Sequence, residues 1–281
     1  MIYFDNAATT CVFPEVVEAM QDAMQVTYGN PSAKHMKGIE AENKVKAAQE
    51  LIAKTLRAKP KEILFTSGGT ESNNTAIIGT AMANRRKGKH IITTKVEHAS
   101  VYEPMYHLEE EGYEVTYLDV DEWGCVRFDA LQRAIRKDTI LISIMYANNE
   151  VGTIQPIGQI GKIAKEDDIF FHTDAVQAYG QLLIDVKKEN IDLLSASAHK
   201  FNGPKGVGFL YIRKKIPLPE YIHGGKQERN HRAGTENVPG IAGMGKAAEI
   251  AFTTREYREK EIQQLRDYLI RRLQRGIPYC R

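Results

Sequence analysis

The chain has 281 residues, of which 42% are hydrophobic and 26% charged, and its net charge at pH 7 is +2. This composition belongs to a globular protein with a large core and excludes a disordered chain. The nearly neutral charge gives no reason to expect nucleic acid or an anionic membrane surface as a partner. No apolar run is long enough to span a bilayer, and the first residues lack the pattern of a signal peptide.

Strand-like and helix-like segments alternate from about residue 60 to residue 215. The predicted strands cover residues 62–68, 90–97, 113–120, 139–147, 169–175 and 207–215. The predicted helices between them cover residues 71–88, 100–112, 128–138 and 157–168. This repeated order predicts an α/β fold with a mainly parallel sheet covered by helices. Residues 36–57 and about 255–275 are predicted to form long, charged amphipathic helices beside this core.

Polar motifs follow four of the predicted strands, and a fifth follows the apolar run that ends at Leu194. They are SGGTESN (67–73), EHAS (97–100), ANNEVGT (147–153), TDAVQ (173–177) and SAHK (197–200). In a parallel sheet the carboxyl ends of the strands meet at one edge, where ligands bind. We therefore expect these motifs to form one site.

The SGGTESN motif places two glycines and a threonine at a predicted strand-to-helix turn. Such a turn presents free backbone N–H groups and the positive end of a helix dipole, which suits a phosphate group. The motif is neither a P-loop nor a GxGxxG dinucleotide fingerprint. A plain helix N-cap remains the alternative for these residues alone.

Four side chains in the other motifs suit pyridoxal phosphate. Asp174 could pair with a protonated ring nitrogen, and Gln177 could hydrogen-bond the phenolic oxygen. His98 could stack on the ring. Lys200, if desolvated near other cationic groups, would have a lowered pKa and could form a Schiff base. A helix cap, a structural histidine and a solvated lysine remain the alternatives when each residue is taken alone.

Nine motifs carry a family likeness: DNAATT (5–10), YGNPS (28–32), SGGTESNN (67–74), VEHAS (96–100), ANNEVGT (147–153), FHTDAVQ (171–177), SAHKFNGPKGVG (197–208), HGGKQER (223–229) and RAGTENV (232–238). Their order and spacing resemble those of the NifS/IscS-type cysteine desulfurases, in the class-V aminotransferase family. The resemblance implies fold-type-I architecture, pyridoxal 5'-phosphate as cofactor and a homodimer. It also implies a reaction that takes sulfur from L-cysteine and leaves L-alanine and a persulfide on an enzyme cysteine. The sulfur would serve iron–sulfur cluster or thio-cofactor synthesis.

The same resemblance implies a role for each matching residue. Lys200 would be the Schiff-base lysine, and His98 the ring-stacking and proton-transferring histidine. Asp174 would pair with the pyridinium nitrogen and Gln177 with the phenolic oxygen. The implied phosphate ligands are Gly69, Thr70, Ser197 and His199.

Further implied roles concern the substrate and the dimer. Asn149 would lie beside the cofactor and orient the substrate, and Asn6 and Ala7 would line the substrate pocket. Thr235 would reach the phosphate of the neighbouring subunit, so that the site would be shared across the dimer.

The resemblance also implies a domain organisation. Residues 1–15 would belong to a small domain, residues 16–255 would form the large cofactor-binding domain, and residues 256–281 would begin the C-terminal small domain. The family's persulfide-forming cysteine and its carboxylate-binding arginine lie past this region, so we expect little or no turnover, from either a C-terminally truncated form or a naturally short member of the family. Loss of the remaining small domain should expose apolar surface around residues 1–15 and 255–281.

The cysteines are few and scattered. Cys11, Cys125 and Cys280 form no CxxC pair and lie in no matching motif, so each is expected to be an inert thiol. Their spacing predicts no metal site, and a reducing cytoplasm is the expected location.

Two other functions stay open. One is a related lyase acting on another amino acid, such as selenocysteine. The other is a non-catalytic cofactor-binding scaffold that docks sulfur-acceptor or scaffold proteins, or lends Thr235 to a complete subunit.

Overall fold

The computed structural model describes residues 2–279, so the expectation for Cys280 falls outside the described residues. The helices are α1 (Pro14–Gln25), α2 (Met36–Thr55), α3 (Gly69–Asn84), α4 (Ala99–Glu110), α5 (Phe128–Ala134), α6 (Ile157–Glu166), α7 (Val238–Thr253) and α8 (Arg255–Gly276). The strands are β1 (Ile63–Thr66), β2 (His90–Thr94), β3 (Glu114–Leu118), β4 (Thr139–Ser143), β5 (Phe170–Asp174), β6 (Leu193–Ser197) and β7 (Gly208–Ile212). Short 3₁₀ turns cover Pro60–Glu62, Ala198–Lys200 and Gln227–Asn230.

The seven strands form one sheet in the order β1-β7-β6-β5-β4-β2-β3. The pairs β3–β2, β2–β4, β4–β5 and β5–β6 are parallel, whereas β7 runs antiparallel to both of its neighbours. The predicted α/β class with a mainly parallel sheet is therefore confirmed. Because six of the described strands point the same way, their carboxyl ends share one edge.

Both faces of the sheet are covered. Ile92 and Ile142 belong to the larger core cluster, with residues of α2 and α7, whereas Ile91 and Leu141 belong to a second cluster with residues of α3 and α4. Adjacent residues of a strand point to opposite faces, so β2 and β4 each contribute to both clusters. This double burial explains the continuous apolar runs in the strands.

The sequence patterns did not predict α1 or α7. The glycines of α7 allow close packing with its neighbouring helices. A Cβ atom at Gly245 would lie 2.8 Å from the Ala48 Cβ in α2, and one at Gly243 would lie 2.6 Å from the Met20 Cγ in α1. These contacts outweigh the poor helix propensity of glycine.

Apolar side chains near both ends of the described chain are exposed. Phe4 is 88% exposed, and α8 buries none of its residues. Along α8, Leu265 is 69% and Leu269 53% exposed. This matches the expectation of apolar surface around residues 1–15 and 255–281. In the described part of the chain, every helix is too short or too polar to traverse a bilayer.

Candidate active site

A cavity of about 450 Å³ opens at the carboxyl edge of the sheet. Its wall comes from the segments after β1, β2, β4, β5 and β6 and from the N-terminal turn. The lining residues are Asp5, Ala7, Ala8, Gly69, Thr70, His98, Ser100, Met145, Ala147, Asn149, Glu150, Asp174, Val176, Gln177, Ser197, His199 and Lys200. Most of the residues singled out in the sequence therefore come together, as the expected meeting of strand ends requires.

The turn between β1 and α3 forms one side of the cavity. Gly68 has a φ of +153°, a conformation that residues with a Cβ rarely adopt, and α3 begins at Gly69. A Cβ atom at Gly69 would lie 2.7 Å from Val176 Cγ2. Glycine thus lets the start of a 16-residue helix face the cavity directly, where its free N–H groups favour an anion.

The turn between β1 and α3 is also stabilised by contacts of Glu71. Glu71 accepts a hydrogen bond from the Ser67 N–H at 2.8 Å and pairs with the Arg232 guanidinium at 3.0 Å. Burial alone would raise the pKa of Glu71, but its bonds to Arg232 and Ser67 outweigh this and lower it. Arg232 belongs to the RAGTENV motif, so this ion pair connects that loop to the turn.

Asp174 ends β5 and is only 5% exposed. It accepts hydrogen bonds from the Val176 N–H at 2.9 Å and from Asn73 Nδ2 at 2.7 Å. Burial raises the pKa of Asp174, while those two bonds and the charges of His98 and Lys200 lower it in part. A cationic ring nitrogen placed against this carboxylate would favour its ionised form further.

His98 precedes α4 as its N-cap and lies at the cavity wall. Its Nδ1 accepts a hydrogen bond from the Ser100 N–H at 3.1 Å and lies 2.8 Å from Ser100 Oγ. Because Nδ1 is the acceptor, the neutral imidazole carries its proton on Nε2.

Lys200 and Gln177 converge on one oxygen atom. Lys200 Nζ donates to the carbonyl oxygen of Ala7, and Gln177 Nε2 donates to the same oxygen at 2.9 Å. Burial lowers the pKa of Lys200, and the charges of Asp174, Asp5 and Glu150 offset part of this effect. The lysine therefore has a larger neutral, nucleophilic fraction than a solvated lysine.

Ser197 directly precedes the 3₁₀ turn Ala198–Lys200, and His199 lies within that turn. Ser197 is buried at the end of β6, and His199 Nδ1 lies 3.2 Å from Thr9 Oγ1. Burial lowers the pKa of His199, and the charges of Lys200 and Lys205 lower it further. A neutral His199 can donate a hydrogen bond to an anion without carrying a full charge.

The remaining predicted residues divide into two groups. Asn149 lines the cavity, and its Nδ2 donates to Glu150 Oε1 at 2.6 Å. Asn6 is not among the lining residues, and its Nδ2 lies 3.4 Å from the Tyr3 carbonyl oxygen. Thr235 is exposed at a separate cavity of about 310 Å³, beside Tyr28 and Asn30 of the YGNPS motif.

The sequence reasoning missed three buried residues that connect the predicted ones. Asn73 and Ser100 form the hydrogen bonds between Asp174 and His98, and Glu97 lies behind them. All three occur inside motifs that were recognised. The two hydrogen-bond partners of Asn73, which are Ser100 and Asp174, lie 27 and 101 residues away from it in the sequence, so no local pattern could assign these contacts.

Glu97 is a buried carboxyl group directly before His98. Its Oε1 accepts from Thr94 Oγ1 at 2.7 Å and from the Met145 N–H at 3.0 Å. Its Oε2 is buried without a hydrogen-bond partner among the described residues. Burial raises the pKa of Glu97 to about 8, although the bonds from Thr94 and Met145 oppose the rise. Glu97 is therefore protonated at neutral pH and joins the ends of β2 and β4 without adding charge.

Comparison with known proteins decides the family. The sequence profile of the class-V aminotransferases matches residues 2–281. The cysteine desulfurase IscS of Dictyoglomus turgidum is 56% identical over 276 residues, which are 98% of this chain and 70% of that relative. The chain belongs to the cysteine desulfurases of the class-V aminotransferase family.

Solved structures agree with this assignment. A NifS-like protein has a TM-score of 0.94 at 45% identity, with 96% of this chain and 74% of that chain covered. The structure described as SspA in complex with cysteine has a TM-score of 0.86 at 46% identity, with 89% of this chain and 72% of that chain covered. The expected resemblance to the NifS/IscS type and the expected fold of this family are confirmed.

Proposed function

We propose that the protein is a pyridoxal-phosphate-dependent cysteine desulfurase that takes the sulfur of L-cysteine and leaves L-alanine. The observation that carries this proposal is the meeting of Lys200, Asp174 and His98, from three separate strand ends, in one cavity. The cysteine desulfurase activity of the relatives and the complex of SspA with cysteine support the same reaction and substrate. The similarity to IscS also supports delivery of the sulfur to iron–sulfur cluster or thio-cofactor synthesis.

The cavity fits the cofactor chemically. Its glycine turn at the start of α3 suits the phosphate, and its buried carboxylate suits a protonated ring nitrogen. Lys200 and Gln177 donate to a single oxygen, so an amine that could bind the cofactor's aldehyde and a donor that could serve its phenolic oxygen lie close together. The charges and the donor positions of the cavity thus agree with this cofactor.

Eight of the lining residues then have a proposed task. Lys200 would hold the cofactor covalently through Nζ, Asp174 would pair with its ring nitrogen, Gln177 would donate to its phenolic oxygen and His98 would stack on its ring. The residues proposed to hold the phosphate are Gly69, Thr70, Ser197 and His199.

The protein's own contribution to the reaction is positioning and proton transfer. When bound, the cofactor supplies an electron sink for bonds broken at the substrate α-carbon. The neutral fraction of Lys200 Nζ can accept a proton because burial lowers its pKa. His98 holds a proton at Nε2, since Ser100 occupies its Nδ1. Asn149 would orient the substrate, and the N-terminal turn with Asn6 and Ala7 would border the substrate side of the cavity.

In the proposed reaction a cysteine of the enzyme receives the sulfur, so the positions of the thiols limit turnover. Cys11 and Cys125 are free, and neither is among the described residues that line the cavity. Burial and the charge of Asp121 raise the pKa of Cys125, which makes it a weaker nucleophile at neutral pH. We propose that a polypeptide of these 281 residues holds the cofactor but turns over L-cysteine slowly. The position of Cys11 and Cys125 outside the cavity lining also favours a non-catalytic cofactor-binding scaffold as the second candidate function.

The assembly and the location are proposed as well. Thr235 is exposed at its own cavity, which supports a homodimer in which it reaches the phosphate of the neighbouring site. Residues 1–15 and 256–281 are proposed to belong to a small domain beside the large domain of residues 16–255. The two free thiols support a reducing, cytoplasmic location.

The proposal is tested by adding pyridoxal phosphate and then L-cysteine to the purified chain. Visible absorbance should show a bound cofactor, and Lys200→Ala should abolish its covalent attachment and lower alanine formation by roughly 10³-fold or more. The matched control is Lys205→Ala, which changes an exposed lysine five residues away. A chain that takes up no cofactor would refute the proposed function. Rapid release of alanine and sulfide would refute the proposed slow turnover. A preference for L-selenocysteine over L-cysteine would favour the related lyase.

A further inference from the structure

A continuous chain of hydrogen bonds joins Asp174 to His98. Asn73 Nδ2 donates to Asp174 Oδ2 at 2.7 Å and to Ser100 Oγ at 2.8 Å. Ser100 Oγ lies 2.8 Å from His98 Nδ1, and the Ser100 N–H donates to the same nitrogen at 3.1 Å. One amide group thus contacts both the carboxylate at the end of β5 and the hydroxyl beside the histidine.

The orientation of the Asn73 amide leaves the carbonyl oxygen of this side chain without a hydrogen bond among the described residues. The residue is fully buried, and its Oδ1 has no hydrogen-bond partner in the described part of the chain. Reversing the amide would give this oxygen no better surroundings, because it would then face the Asp174 carboxylate. A buried unpartnered carbonyl costs free energy, so the arrangement is explained by what Nδ2 does for its two acceptors.

Nδ2 fixes the direction of the bonds beyond it. Because Asn73 donates to Ser100 Oγ, the proton of that hydroxyl is free to point towards His98 Nδ1. Two donors from Ser100 then face one ring nitrogen, so Nδ1 stays unprotonated and Nε2 carries the proton. At the other end, donation to Asp174 Oδ2 stabilises the ionised carboxylate inside a buried site.

We propose that Asn73 is a positioning residue that holds Asp174 as an anion and His98 as the Nε2–H tautomer at the same time. The proposal rests on the function proposed above, because it assigns Asp174 to a ring nitrogen and His98 to proton transfer. Asn73 itself need not touch the substrate or the cofactor, and it is not among the residues that line the cavity.

Two further charged or titratable groups surround this chain. Lys200, at the end of the turn after β6, acts on Asp174 through its charge, and the charge of Asp174 acts in turn on Glu97, directly before His98. The experiment therefore compares variants at the same pH values and leaves both of these residues unchanged.

The test reads the tautomer of His98 by long-range ¹H–¹⁵N imidazole spectra of the cofactor-free protein, with His98→Gln to assign the signal among the 8 histidines. The wild type should show the Nε2–H form. Asn73→Ala should give a mixture of tautomers, because the Ser100 hydroxyl can then accept from a protonated Nδ1, while only the Ser100 N–H still favours an unprotonated Nδ1. Asn74→Ala is the matched control, since Asn74 lies next along α3 and donates to the Thr70 carbonyl oxygen instead.

Two more variants cover the case in which Asn73→Ala does not fold. Asn73→Leu keeps a branched side chain without donors. Ser100→Ala removes the hydroxyl that connects Asn73 to His98 by hydrogen bonds. Both variants should reproduce the change of tautomer at His98. A tautomer equal to that of the wild type in the folded variants would overturn the proposal.

A second measurement uses pyridoxal phosphate itself. Its Kd, measured by absorbance, should rise about tenfold in Asn73→Ala and stay at the wild-type value in Asn74→Ala. A wild-type protein that takes up no pyridoxal phosphate would refute the proposed function, and the tautomer of His98 would still decide the role of Asn73. Equal Kd values in these two variants would refute the role of Asn73 at Asp174.

Discussion

Glu97 is a buried acid whose ionisation is linked to folding. Its ordinary pKa is 4.5, and burial raises the value to about 8 in the folded protein. Between these values the unfolded chain releases a proton that the folded chain retains. The stability that the protonated group provides is complete below pH 4.5 and is lost as the pH rises through about 8.

Glu97→Gln should remove this pH dependence. A glutamine keeps the acceptor for Thr94 and Met145 and cannot ionise, so the variant should gain stability over the wild type as the pH rises. The gain should be small at pH 5 and reach up to about 4 kcal/mol near pH 8 to 9. Urea unfolding across this range measures it.

The control for this prediction is Glu103→Gln, which changes an exposed glutamate of α4. Its stability difference from the wild type should stay nearly constant with pH. If Glu97→Gln is equally destabilising at every pH, Glu97 is ionised in the folded protein and the present account of it is wrong.

At the residue scale, the sequence predicts residue types at strand ends better than it predicts their partners. Lys200, Asp174 and His98 could be placed because each follows an apolar run. Asn73 and Glu97 could not, because their roles depend on contacts with β4 and β5 that form only in the folded chain.

At the scale of elements, the junction between β1 and α3 prepares the proposed phosphate site. Gly69→Ala would bring a Cβ atom to 2.7 Å from Val176 Cγ2, and Val176 lies two residues from Asp174. A valine is stiff at χ1, so the wall of the cavity would have to move. We expect a loss of about 1–3 kcal/mol in unfolding free energy and a Kd for pyridoxal phosphate at least about tenfold higher.

Gly158→Ala is the matched control for this change. Gly158 also lies in the first turn of a helix, α6, and a Cβ atom there would meet nothing closer than Glu189 Cγ at 3.9 Å. The control should keep or slightly increase stability, since alanine is the better helix former. Equal cofactor affinities in the two variants would show that the turn at Gly69 does not form the phosphate site.

Some helices and strands could be predicted from local sequence patterns, and others could not. The α/β order was readable because apolar runs and helical patterns alternate along the chain. The helix α7 was not, because its glycines weaken the helical signal and its packing partners, α1 and α2, lie far away in sequence. The reversed direction of β7 depends on pairing with β1 and β6, and no local pattern encodes it.

At the scale of the whole molecule, the exposed face of α8 should make the chain self-associate. Leu265 and Leu269 are 69% and 53% exposed on a helix that buries none of its residues. Contiguous exposed apolar surface of this kind drives association. Sedimentation velocity should show dimers or larger species at micromolar concentrations, shifted towards smaller species by the double change Leu265→Glu and Leu269→Glu.

Gln264→Glu adds a charge to an exposed position of the same helix and serves as the control. It should leave the association unchanged. A stable wild-type monomer would contradict the prediction, and association that is insensitive to both leucines would place it on another surface, such as that around Thr235.

We propose above all that Lys200 is the covalent anchor of pyridoxal phosphate. The most direct measurement is borohydride reduction of the loaded protein, followed by intact mass and peptide mapping. We predict one pyridoxyl group per chain, located on Lys200 and lost in Lys200→Ala but retained in Lys205→Ala. A reduced protein without the added mass, or with the group on another lysine, would contradict the account.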